Sequence, residues 1–167
     1  MRAKYEAARF GARKQAALNL QGTLGVEFHI AGWSNKTREA LVDQWQGNHV
    51  SGWDWPEIFR RYDDPDRLDM SVWTMAGNRL SALGLALTKG EYVELRFVEG
   101  DPRPDCPLKG NRALIMVECS SCYTQARGRS ELRIEPINEQ VAILYQKVYG
   151  FTLEHYRDGR PYFKKRV

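Results

Sequence analysis

The sequence predicts an α/β domain in the broad α+β sense: a mixed, mostly antiparallel sheet flanked by helices, preceded by a basic N-terminal helix. Three observations carry this. Residues 91–151 read as strand, loop, helix, strand and helix, a unit that closes as a right-handed crossover with two parallel strands. The runs 69–74, 80–87 and 91–99 are strands joined by turns short enough to make them antiparallel. The runs 152–156 and 161–165 flank Asp158-Gly159, a strong hairpin signal.

A chain of 167 residues is normally one domain with room for a core. With 28% charged and 43% hydrophobic residues, the composition is that of an ordinary soluble globular protein. No apolar run approaches the roughly 18 residues of a membrane span. Met1-Arg-Ala-Lys-Tyr-Glu6 lacks an apolar signal core, so a cytoplasmic protein is expected. Three cysteines argue against a disulfide framework. Cys119 and Cys122 form a C-x-x-C without a second pair, so no metal site is expected; both should line the core side of a helix.

The formal charge of +4 is placed unevenly. Residues 1–20 hold Arg2, Lys4, Arg9, Arg13 and Lys14 against Glu6, which accounts for all of it. Two units follow: a basic extension over 1–20 and a single domain over 21–167. Residues 3–18 read as a helix with Tyr5, Ala8, Ala12, Ala16 and Leu20 near one face. It is either a solvated helix docking a weak apolar stripe or an arm for a nucleic acid or another partner.

Residues 26–30 alternate apolar and polar and form the first strand. Ser34 caps the next helix, whose buried face holds Leu41 and Trp45, and Gly47-Asn48 ends it. A short helix from Asp54-Trp55-Pro56 carries Ile58 and Phe59 inward. Ala76-Gly77-Asn78 turns the chain between the second and third strands.

The most specific pattern is Asn138-x-x-x-Ala142-x-Leu144-Tyr145-x-Lys147-x-x-Gly150-Phe151. It resembles the fourth helix and following strand of the Gcn5-related N-acetyltransferase (GNAT) superfamily. The resemblance is strong over 91–167, rests on element order over 22–90, and is absent over 1–20. It implies a twisted, mixed sheet and acetyl transfer from acetyl-coenzyme A (acetyl-CoA) to an amine-bearing acceptor. The alternative is a GNAT-fold binding or regulatory module without catalysis, associated with nucleic acid through residues 1–20.

The family cradles the coenzyme pyrophosphate on Gln/Arg-x-x-Gly-x-Gly/Ala, where backbone N–H groups and a helix dipole meet two phosphates. Gln125-Ala-Arg-Gly-Arg-Ser130 fits the spacing but follows its helix, so Gly128 reads as a C-cap. Pro107-Leu-Lys-Gly-Asn-Arg-Ala113 has the right place with a degenerate motif: Pro107 replaces Gln or Arg, and Arg112 replaces the second small residue. The expected coenzyme contacts are therefore Lys109, Gly110, Asn111, Arg112 and Ala113, together with Asn138 and Tyr145.

The resemblance also implies a main-chain N–H at Phe97-Val98-Glu99 that polarises the thioester carbonyl, and Tyr145 as the proton donor to the thiolate. A phenol with a pKa near 10 is protonated at neutral pH. The base is Glu99, Glu94 or a water chain. Strand alternation would put the two glutamates on opposite faces. His29, His49 and His155 match no motif. In the resembled family the first two helices wall the acceptor, which makes Trp53, Asp54 and Trp55 expected acceptor contacts; half-buried packing is the other reading of the two tryptophans. The final strand, if exposed, would suit a homodimer. No Ser-His-Asp order, metal-binding His pair or Walker loop is present.

Overall fold

The computed structural model describes residues 2–45, 53–135 and 139–167. Of the residues singled out from the sequence, Gly47, Asn48, His49 and Asn138 lie outside them. The elements are α1 (Arg2–Leu24), β1 (Phe28–Ala31), α2 (Asn35–Ala40), α3 (Trp55–Arg61), β2 (Arg67–Thr74), β3 (Arg79–Lys89), β4 (Tyr92–Gly100), α4 (Arg112–Ala126), β5 (Glu131–Ile134), α5 (Glu139–Lys147), β6 (Thr152–His155) and β7 (Pro161–Arg166). One sheet runs β1-β2-β3-β4-β5-β7-β6. Only β4 and β5 are parallel.

The final strand is not the exposed edge that a homodimer through it would need. β7 lies between β5 and β6. The crossover through α5 carries β6 past β5, and the hairpin folds β7 back into the gap, so β6 is the edge.

Two cores sandwich the sheet. One face of β2–β4 meets α2 and α3 through Trp45, Trp55, Phe59, Trp73, Leu80, Leu83, Leu85 and Leu87. The other face meets α1, α4 and Tyr145 of α5. Ser34 caps α2 in a capping box with Thr37, and after Ala40 the helix widens into a π turn, Leu41–Trp45. That turn sets Trp45 fully inside, where its indole N–H donates to the Leu80 carbonyl at 3.0 Å. At the far end of α4, the Arg129 N–H reaches back to the Thr124 carbonyl and the Gly128 N–H to that of Gln125, so Gly128 closes the helix.

α1 runs six residues beyond its expected end, and its stripe Ala12, Ala16 and Leu20 is buried against α4. Alanine at the contact lets the two helices approach closely. The charges of α1 are divided. Arg13 donates to the Asp69 carbonyl at 2.8 Å and to its Oδ1 at 2.6 Å, while Arg9 donates to the Pro65 and Arg67 carbonyls. Arg2, Lys4 and Lys14 face solvent. Two of the five cations thus belong to the fold. Cys119 is fully buried on α4 and Cys122 half-buried, and burial raises both thiols above their ordinary range.

Arg13→Ala is expected to destabilise the protein by about 2–3 kcal/mol, because it leaves a mostly buried Asp69 with the Trp33 N–H and only the longer approach of Arg9 Nε at 3.9 Å. The urea midpoint measures it, and Arg2→Ala, on an exposed cation, is the matched control.

Candidate active site

β4 and β5 pair over only four residues, from Tyr92 opposite Glu131 to Leu95 opposite Ile134. β4 then runs on to Gly100 beside β3, with no further β5 partner. The strands therefore part at Leu95, and Arg96 to Gly100 line one side of the gap. Phe97, Val98 and Glu99, expected at the coenzyme thioester, stand on this free stretch.

The parting coincides with a β-bulge. Ala86 faces Leu95 and Leu85 faces Phe97, so Arg96 is an extra residue in β4. Directly opposed residues share a face. Glu94 lies opposite Leu87, Phe97 opposite Leu85 and Glu99 opposite Leu83, all three leucines in the α2/α3 core. The alternation that separates Glu94 from Glu99 is thus corrected: the bulge shifts the phase once and puts both carboxylates on one face.

Their surroundings differ. Glu99 is buried, and its Oε1 accepts the Trp55 indole N–H at 2.6 Å. Glu94 is 5% exposed, with Lys89 Nζ at 3.8 Å and Arg96 Nε at 3.7 Å. Both approaches exceed hydrogen-bond length.

Trp55 is fully buried and stacks on Phe59 at 5.7 Å. Trp53 is half-buried and meets Trp55 and Phe97 edge-on at 5.8 and 5.3 Å. Asp54 caps α3, its Oδ1 accepting the Glu57 N–H at 3.2 Å. Tyr62, from the end of α3, lies 5.4 Å from Phe97. Trp53, Tyr62 and Phe97 make a half-exposed aromatic wall beside the bulge.

The loop after β4 is fixed at its base by Asp101. Its Oδ2 accepts from Arg79 Nε at 2.8 Å and Arg103 Nη2 at 2.9 Å, and its Oδ1 accepts the Arg103 N–H at 3.0 Å. Burial pushes the Asp101 carboxyl up, and the bonds from Arg103 and Arg79 more than offset this, so it titrates below the ordinary range. Arg112, expected at a phosphate, donates to the Asp101 carbonyl at 2.6 Å. A side chain at position 100 would fall on that guanidinium and displace it from the Asp101 carbonyl. Gly110 takes φ +92°, and Asn111 makes no side-chain cap bond to α4. Lys109 and Gly110 are exposed, and Asn111 and Ala113 are half-buried. The N-terminus of α4 is thus partly open to solvent, carries the positive end of the helix dipole, and is tied to the end of β4 through Arg112 and Asp101.

Tyr145 is 4% exposed and packs against Tyr149, Phe151 and Phe163 at 5.7–6.0 Å between ring centres. Burial, and secondarily Tyr149, pushes its phenol up to about 12. Asn138 lies outside the described residues. Among the described residues no cluster of His, Cys, Asp or Glu has metal-binding geometry, and no helix is long and apolar enough to cross a membrane.

The sequence reading missed Arg96 and Asp101. A bulge has no composition signal, and Arg79, Arg103 and Arg112 converge on Asp101 only through the fold. It also missed the wall that β5 and β7 add to the same face, where Arg133 lies 3.7 Å over Tyr92 and 4.7 Å over Tyr162.

No family model and no curated relative matches the chain. Solved structures do. Ard1 from Thermoplasma volcanium superposes with TM-score 0.57 at 15% identity, over 85% of this chain and 99% of that one. The ribosomal-protein-S18-alanine N-acetyltransferase from Escherichia coli gives 0.57 at 16%, over 84% and 94%. The PaiA N-acetyltransferase from Thermoplasma acidophilum, solved in complex with coenzyme A, gives 0.54 at 14%, over 84% and 99%. The chain has the GNAT fold, a mixed seven-stranded sheet with flanking helices, with α1 at its N-terminus.

Tyr145 sets an alkaline limit on stability. Its folded-state pKa lies above the unfolded value near 10, so its contribution is full below pH 10 and is lost as pH rises through about 12. Tyr145→Phe is expected to reduce the stability lost between pH 10 and 12, measured by urea unfolding across that range.

Proposed function

We propose that the protein is an acetyl-CoA-dependent N-acetyltransferase acting on an amine by direct attack. The observation that carries this reading is the parting of β4 from β5, with the N-terminus of α4, free of any side-chain cap, tied to the end of β4. A strand edge that has no ladder partner on one side among the described residues, next to a helix N-terminus, suits a ligand with an amide-bearing arm and a pyrophosphate. The fold shared with a protein solved with coenzyme A supports it. The coenzyme supplies an activated acetyl thioester.

The pyrophosphate falls to the backbone of Gly110, Asn111 and Ala113, with Lys109 as the mobile cation. Arg112 shapes the loop through Asp101 instead of meeting phosphate. A main-chain N–H among Phe97, Val98 and Glu99 polarises the carbonyl. Glu94 receives the amine proton, because its carboxylate has no close donor while Glu99 is engaged by Trp55. Glu99 is then a positioning residue that fixes the Trp55 wall. As the N–C bond forms, the C–S bond breaks. The ammonium gives up two protons to solvent, the first through Glu94, and the departing thiolate takes one back from solvent, so that one proton is released per turnover.

Tyr145 acts at the departing sulfur. A phenol near 12 is a weak acid beside a thiol of ordinary pKa near 8.5, so full transfer runs uphill. Its O–H therefore serves as a hydrogen-bond donor that stabilises the thiolate, and the sulfur takes its final proton from solvent. Asn138, which would cap α5, is proposed at the pantetheine arm.

Three outcomes are expected. Acetyl-CoA binds with micromolar affinity by calorimetry, and no binding up to millimolar concentration would overturn the reading. Glu94→Gln lowers kcat/KM by about 100-fold while acetyl-CoA affinity holds. Tyr145→Phe lowers kcat by about 10- to 100-fold, the scale of one hydrogen bond to a charged group, again without loss of coenzyme affinity.

A further inference from the structure

Building on the acetyl-transfer reading, we propose that the acceptor is a free amino acid, held as a zwitterion with its ammonium on Glu94 and its carboxylate on Arg96. The argument starts from two side chains that the fold leaves incomplete. Glu94 is 5% exposed, yet among the described residues its carboxylate accepts no hydrogen bond, and its two cationic neighbours stand at 3.7 and 3.8 Å. A buried carboxylate without donors is costly, so a ligand that donates to it is strongly favoured.

Arg96 is the bulge residue at the point where the strands part. Its guanidinium lies 3.7 Å from Glu94 Oε1, 3.7 Å from Glu135 Oε2 and 5.3 Å from the Phe97 ring centre. Among the described residues it donates no hydrogen bond, although a guanidinium carries five donors in a fork that matches a carboxylate. Arg133, on the same sheet face, contrasts with it: it is bonded to Glu131 and packed on Tyr92 and Tyr162.

A simple amine completes Glu94 and leaves Arg96 as it is. A polyamine or a lysine side chain does the same and adds a cation beside the guanidinium. An amino acid carries its ammonium and carboxylate on one carbon, so it satisfies both side chains at once across the gap of 3.7 Å that separates them. Phe97, Tyr62 and Tyr92 flank the pair and give the amino-acid side chain an aromatic surface.

The test is calorimetric and needs no turnover. Protein saturated with free coenzyme A is titrated with L-phenylalanine, L-leucine and L-lysine, each against its decarboxylated amine, using wild type, Arg96→Gln and Arg96→Lys. At least one amino acid is expected to bind about 10- to 100-fold more tightly than its amine, the scale of hydrogen bonds to charged groups. Arg96→Gln should erase that preference and Arg96→Lys should keep only part of it, since an ammonium lacks the fork. Acetyl-CoA affinity should stay constant in both variants. Equal binding within every pair, a preference that survives Arg96→Gln, or no binding of any amino acid would overturn the proposal. In each of those cases the acetyl-transfer reading stands, because it falls only if acetyl-CoA itself fails to bind.

Discussion

One extra residue in one strand governs this molecule. Arg96 has no partner in β3, and its insertion reverses the facing of everything after it on β4. Before the bulge Leu95 belongs to the core under α4; after it Phe97 and Glu99 turn toward α2 and α3. The same point is where β5 leaves β4. A regular strand would send Glu94 and Glu99 to opposite faces. The bulged one gathers two carboxylates, an arginine and a phenylalanine on one face beside an open backbone edge. The extra twist that a bulge introduces also helps the two strands part.

The rest of the fold holds that strand in place. β3 supports it from one side, with leucines toward α2 and α3 and Ala82, Gly84 and Ala86 toward α4. Asp101 secures the end of β4 by collecting Arg79, Arg103 and, through its carbonyl, Arg112. α1 extends the core under α4, and Arg9 and Arg13 tie it to β2. Its charge, which in sequence looks like an arm reaching for a polyanion, is partly internal wiring. Tyr123 and Arg127 close the same corner on Asp66.

The sequence made the C-terminal half legible, because patterns there depend on local chemistry. Asp158-Gly159 makes the hairpin, Gly128 ends α4, and the Tyr145 motif places α5. Ser34 and Asp54 declare their caps for the same reason. The order of β6 and β7 was less legible, since nothing local says that a hairpin folds back between its crossover and the edge. The candidate site was legible by position along the chain but not by facing. Glu94 and Glu99 stood out as carboxylates on the central strand, yet their relation turns on a bulge whose residue, an arginine, is ordinary on a strand. Arg112 read as a phosphate ligand because it sits where a small residue is usual. Only the fold shows its guanidinium occupied by Asp101. Asn138, just before α5, is the one expected contact that lies outside the described residues.

The central claim is that the gap between β4 and β5 receives the coenzyme. Backbone amide chemical shifts of the labelled protein, followed during titration with acetyl-CoA, test it most directly. The account predicts the largest changes at Phe97, Val98 and Glu99 and from Gly110 to Leu114, with α1 and the β2–β3 turn undisturbed. Saturable binding that leaves those amides in place and moves another surface would contradict it.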